Sequence, residues 1–179
     1  SGAFDDTLET YVEVPSDNVP FDERPWMKAA EITDAVIAAV QSGDYDHIRL
    51  NYANGDMVGH TGNLRATEVA MQALDLSLAR LWSAVKEAGG VLLVTADHGN
   101  ADQMYQRDKK SGEAKLDAKG RPVPLTSHTL APVPFILADA SGTLTLADVP
   151  DAGIASVGST LLQLHGLEVP GHYVPGLIG

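Results

Sequence analysis

The chain has 179 residues, 44% of them hydrophobic, and its 24 acidic against 12 basic side chains leave a net charge of −12. That length and composition suit one globular domain and exclude disorder as the main state, while the absence of cysteine excludes disulfides, thiolate metal sites and a cysteine nucleophile. The acidity argues against nucleic acid as a partner, no apolar run reaches the roughly 18 residues of a membrane span, and without a signal peptide the expected compartment is the cytoplasm. Nine acids between Asp5 and Asp34 face only Arg24 and Lys28, which reads as a solvated acidic face. The first residue is Ser1, so the chain is expected to be processed or a piece of something longer.

Leu8, Tyr11, Val12 and Val14 suggest a strand over residues 8–14, ended at Pro15. A proline-rich loop follows to Pro25. Ala30, Val36, Ile37 and Val40 recur at helical spacing and predict a helix over 26–41, stopped by Ser42-Gly43. His47, Ile48, Leu50 and Tyr52 read as a strand over 46–53, and Asn54 to Gly62 as a polar, glycine-rich loop. Met71, Leu74, Leu78, Leu81 and Val85 mark the apolar face of a long helix from Asn63 to Ala88, capped by Gly89-Gly90. The continuous apolar run Val91–Val94 fits a strand buried on both faces. After a long polar connection over 98–131, a second buried strand is predicted at 133–138, a short one at 143–146, and a helix at about 154–165 ending at Gly166. Alternating strands and helices give an α/β class with a mostly parallel sheet. Strand 133–138 is expected to be reversed. His128 lies five residues before it, and an antiparallel strand begins at the sheet edge where Asp97 emerges, whereas a parallel one begins at the far edge.

Three polar clusters sit beside predicted strands: Asn51 to His60, Thr95 to Asn100, and Thr126 to Thr129. Ligands of open α/β sheets gather at the carboxyl ends of strands, and the first two clusters follow strands directly. Asp56, His60, Asp97, His98 and His128 offer two carboxylates and three imidazoles, a donor set suited to divalent zinc, manganese or iron. Asp56 and His60 have the spacing of one helix face, but Gly55 and Gly59 disfavour a helix, and a tight loop turning both inward is expected. Asp97 and His98 are adjacent and point to opposite sides of an extended chain, so one ion takes both only if the strand has turned, as Gly99 permits. Adjacent ligands also suit a pair of ions, as in phosphoryl-transfer enzymes. A Ser-His-Asp triad using Ser127 with His98 or His60 is the competing arrangement, but the chain has no G-x-S-x-G elbow to present such a serine. His47, His165 and His172 read as surface or packing residues.

The wording of the motifs goes further than their chemistry. Asp-Met-Val-Gly-His-Thr-Gly at 56–62, Ala-Asp-His-Gly-Asn at 96–100 and the segment Thr126 to Phe135 together resemble the cofactor-independent (2,3-bisphosphoglycerate-independent) phosphoglycerate mutases of the alkaline phosphatase superfamily. The resemblance covers nearly the whole chain. It implies a three-layer α/β/α fold, mostly parallel with one antiparallel strand, in which residues 1–179 form the carboxy-terminal part of a metal-binding phosphatase domain. It also implies two manganese ions and no organic cofactor. By motif, Asp56, His60 and His128 would bind one ion, and Asp97 and His98 would help bind the other. In that family the nucleophilic serine and the phosphotransferase domain that grips phosphoglycerate precede this region, so no catalytic residue is assigned here and the chain alone is expected to be inactive. The implied activity is the glycolytic interconversion of 2- and 3-phosphoglycerate through a phosphoserine. Another metal-dependent phosphatase or phosphopentomutase of the superfamily, or a non-catalytic metal-binding module, is the alternative.

Residues 105–121 hold six of the twelve basic residues against Asp108, Glu113 and Asp117, a net of +3. The segment reads as an exposed hairpin, or as a flap whose field draws phosphate esters inward.

Overall fold

The structure, a computed structural model, describes residues 3–5 and 7–179. In chain order these form α1 (Ala29–Ser42), α2 (Asn54–Gly59), α3 (Leu64–Glu87), β1 (Val91–Thr95), β2 (Phe135–Asp139) and α4 (Ser156–Leu164). Two compact units result, one of Ser1–Leu81 with Gly99–Thr129, the other of Trp82–His98 with Leu130–Gly179. No helix of the described residues is long and apolar enough to cross a membrane.

In the first unit, α1 forms where its periodicity places it and buries Ala29 and Thr33. The Thr33 hydroxyl donates to the Ala29 carbonyl and is hydrogen-bonded to the Tyr52 hydroxyl, each at 2.6 Å. Burial raises the Tyr52 phenol above its ordinary pKa. Side chains therefore tie the 46–53 segment to α1. The strands expected at 8–14 and 46–53 do not form, because apolar alternation marks a segment able to pair but not whether a neighbouring strand lies alongside. Val58 of α2 is fully buried against Ala66 and Ala70 of α3, with Phe21 and Met27 packed around them. The buried stripe of α3 runs through Ala66, Thr67, Ala70, Ser77, Leu81, Ala84 and Val85, while Met71 is exposed. The predicted face thus holds at Leu81 and Val85, while upstream the small residues Ala66 and Ala70 face inward and pack against Val58 of α2.

Residues 105–121 are not a plain hairpin. Gln106 N–H donates to the Val123 carbonyl at 2.9 Å, Val123 N–H to Lys115 at 2.9 Å, and Lys115 N–H back to Gln106 at 2.8 Å. Three short extended stretches so close on one another in a ring. Asp108 accepts the Lys110 and Ser111 N–H groups, and Asp117 those of Lys119 and Arg121. These bonds hold both carboxyls below the usual carboxylate range. Two of the segment's acids are thereby absorbed in its turns, while the ammonium groups of Lys109, Lys110 and Lys119 form no ion pair among the described residues.

In the second unit, β1 and β2 pair antiparallel in a register from Val91↔Asp139 to Thr95↔Phe135. The reversed direction is as expected, with β2 starting two residues late. Burial is not as expected: Val91 is 38% and Ile136 50% exposed, so this is a half-covered two-stranded ladder rather than a strand buried on both faces. The strand expected at 143–146 reduces to a single bridge, Leu146↔Ile178. α4 is stitched to the following chain by Ser159 Oγ donating to the Val174 carbonyl at 2.6 Å and Leu177 N–H donating to Thr160 Oγ1 at 2.9 Å. Past β2, the Asp139 carboxylate accepts the Ser141 hydroxyl and the N–H groups of Ser141, Thr143 and Leu144. This network holds its pKa well below the ordinary carboxylate range. The class is α/β.

Candidate metal centre

The glycine-rich stretch expected as a loop is helical. Asn54, 1% exposed, donates its side-chain amide to the Pro25 carbonyl at 3.0 Å, Val58 seats the turn in the core, and Met57 and His60 donate backbone N–H groups to Ala53 and Asp56 at 2.9 Å. Tertiary anchoring overrides the low helix propensity of Gly55 and Gly59. The helix places Asp56 and His60 on one face. The chain then turns at Gly62 with φ of 70°, where an added Cβ would lie 3.0 Å from Pro124 Cβ and Thr126 Cγ2. Only glycine permits both that dihedral and that approach. The approach brings Thr126 and His128 to the end of α2.

Three donor atoms meet there. His60 Nε2 is 3.0 Å and His128 Nε2 3.1 Å from Asp56 Oδ1, and the two ring nitrogens are 3.1 Å apart. His60 Nδ1 lies 2.8 Å from the Thr126 carbonyl. A carbonyl only accepts, so Nδ1 carries a hydrogen there and Nε2 is the ring nitrogen turned toward Asp56 and His128. Asn100 donates its amide to Asp56 Oδ1 at 2.7 Å and to the Asp56 carbonyl at 3.1 Å. The Asp56, His60 and His128 side chains are 33%, 36% and 51% exposed, so solvent and solutes reach them. Two imidazoles and a carboxylate are first-row metal donors. Spacings near 3 Å are what bonds of about 2.1 Å at roughly right angles produce. The residues present fit a divalent ion.

Asp97 and His98 lie in the second unit, just past β1. His98 Nε2 is 3.6 Å from Asp97 Oδ1, and the Asp97 side chain is 87% exposed. The backbone has turned after Thr95, the condition under which neighbouring side chains can face one way. Ser127 makes no hydrogen bond to His60 among the described residues, which removes that version of a triad. Sequence reasoning gave no role to Asn100 or Thr126. Asn100 sits inside a motif already singled out, whereas Thr126 acts through its carbonyl and leaves no side-chain signal.

Residues 1–169 match the family described as the Metalloenzyme superfamily. A 2,3-bisphosphoglycerate-independent phosphoglycerate mutase of Trypanosoma brucei brucei is 52% identical over 99% of this chain and 33% of its own length. The enzyme of that name from Nicotiana tabacum is 46% identical over 99% of this chain and 32% of its own. A crystal structure of Leishmania mexicana phosphoglycerate mutase at low cobalt concentration superposes with a TM-score of 0.95 at 50% identity, over all of this chain and 33% of that one. The chain spans about a third of the length of the relatives it matches.

Proposed function

The chain belongs to the metalloenzyme superfamily, and from that premise we propose that it supplies metal-binding residues of a cofactor-independent phosphoglycerate mutase, which interconverts 2- and 3-phosphoglycerate in the cytoplasmic steps of glycolysis. The observation that carries this is the meeting of Asp56, His60 and His128 donor atoms at 3.0–3.1 Å in a chain half identical to a third of such enzymes. Asp56, His60 and His128 would hold one manganese ion, and Asp97 with His98 would contribute to a second. Bound metal supplies a lowered hydroxyl pKa and offsets the charge of a transferring phosphoryl group.

The chain's own residues prepare that chemistry. Thr126 fixes the His60 tautomer, Asn100 orients the Asp56 carboxylate, and the exposed edge of the cluster leaves the ligand atoms reachable. Residues 1–179 are read as part of a metal-binding phosphatase domain. Its sheet would be mostly parallel, in a three-layer α/β/α arrangement, with β2 as the reversed strand. The basic segment 105–121, closed at its base by the Leu125 N–H donating to the Met104 carbonyl just before Thr126 and His128, would raise the local concentration of anionic phosphoglycerate around an otherwise acidic chain. Manganese titration followed by electron paramagnetic resonance, with a coupled 3-phosphoglycerate assay alongside, tests the reading. Saturable binding lost in His60→Ala, without turnover by this chain alone, is expected. No saturable binding, or turnover by the chain alone, overturns it.

A further inference from the structure

We propose that Asn100 and Gly59 form a single interlock that sets the position of Asp56, with Asn100 as a positioning residue for the metal centre. The proposal rests on the reading of Asp56 as a metal ligand. Asn100 is 5% exposed. Its amide nitrogen grips Asp56 twice, at the carboxylate oxygen that faces both histidines and at the backbone carbonyl. That carbonyl also accepts the His60 N–H at 2.9 Å. One side chain so ties a carboxylate to the helical turn that carries it and to the turn that presents His60. Both groups accept hydrogen bonds and neither donates, so the amide cannot be flipped without setting its oxygen against a carboxylate.

The cost falls on the other end of the same side chain. Asn100 Oδ1 is buried and has no hydrogen-bond partner. Buried amide oxygens are nearly always paired, so an orphan marks a side chain held in place for its other end. Gly59 makes the hold possible. A Cβ at 59 would overlap Asn100 Oδ1 and lie 2.9 Å from its Cγ, so the amide occupies the volume a side chain of α2 would fill. Gly59 is buried at the helix's last position, where alanine would favour the helix. A helix glycine and an orphan oxygen are each unfavourable alone. They coincide because they are the two halves of one contact, and Asp56 is what the contact orients. Departures from local preference of this kind gather at functional sites.

The test is a double-mutant cycle read by manganese affinity and by thermal unfolding, on wild type, Asn100→Ala, Gly59→Ala and the double variant. Outer residues that orient ligands typically alter metal affinity by roughly 10- to 100-fold. Asn100→Ala is expected to weaken manganese binding by about that factor while unfolding within a few degrees of wild type. Gly59→Ala should weaken it similarly, because its methyl evicts the amide. The double variant should bind no more weakly than Asn100→Ala alone, since removing the amide leaves room for the methyl, and should unfold at or above the temperature of Asn100→Ala. The double variant also carries the test where Gly59→Ala alone does not fold. Wild-type affinity in Asn100→Ala, or losses that multiply in the double variant, overturns the interlock. Absence of manganese binding in wild type instead overturns the ligand reading beneath it.

Discussion

His60 shows how much a single backbone acceptor can decide. Its Nδ1 hydrogen is committed to the Thr126 carbonyl, which leaves Nε2 to the cluster. His60→Ala should therefore remove a donor and lower manganese affinity by at least about 100-fold, more than loss of an orienting residue, as isothermal titration would read. Asp139 makes a second prediction. Its folded pKa is depressed by the Ser141 hydroxyl and three backbone N–H groups, so its contribution is fully present above the unfolded value of about 4 and fades as pH falls below it. Melting temperatures of wild type and Asp139→Asn should differ at pH 7 and converge from about pH 4 toward pH 2. A constant gap across that range would contradict the assignment. At this scale the candidate cluster of Asp56, His60 and His128 was legible, since Asp and His in glycine-rich motifs carry chemistry in their side chains. Thr126 was not, because a carbonyl looks the same under every residue.

The short helix α2 was the element least visible in the sequence. The spacing of Asp56 and His60 suggested a helix face, but two glycines argued for a loop. What decides the matter is Val58, fully buried against Ala66 and Ala70, together with Asn54 bonded to Pro25. Partners at such sequence distances cannot be read from local propensity. Val58→Ala should destabilise the chain by about 2 kcal/mol, measured by urea unfolding, and should also weaken manganese binding because α2 carries Asp56 and ends at His60. Unchanged metal affinity in the folded variant would show that α2 holds its shape without that seat. The longer helices α1 and α3 were legible because many repeats of the 3.6-residue period outvote any one residue. The strands at 8–14 and 46–53 were misread because pairing depends on a neighbour, and alternation reports only half of a pair. β2 was read correctly, including its direction, since the position of His128 relative to Asp97 constrained it from outside the strand.

Over the whole chain the charge is sharply partitioned. A net of −12 includes a segment of +3 at residues 105–121, so the remainder is more acidic than the total suggests. If that segment gathers phosphate esters, inorganic phosphate or phosphoglycerate should perturb the amide resonances of Lys109, Lys110 and Lys119 at low ionic strength. The effect should fade between about 0.01 and 0.5 M salt as the screening length falls from roughly 30 Å to under 5 Å. Replacement of all three lysines by glutamine should abolish the perturbation and leave manganese affinity within about twofold. Perturbation that persists at high salt would indicate a specific pocket instead of a diffuse field.

The ring of hydrogen bonds through Gln106, Val123 and Lys115 has a consequence for how the protein behaves among its own copies. A flat pair of strands offers a row of unsatisfied amides along each side, onto which another chain can dock and seed aggregates. Here each of the three stretches spends its central amide on the next, so at that level the circuit has no open side. Surface position would ordinarily mean rapid solvent exchange, yet these three amides can be released only by opening the circuit as a unit. Deuterium should therefore enter them together, at one shared and slow rate.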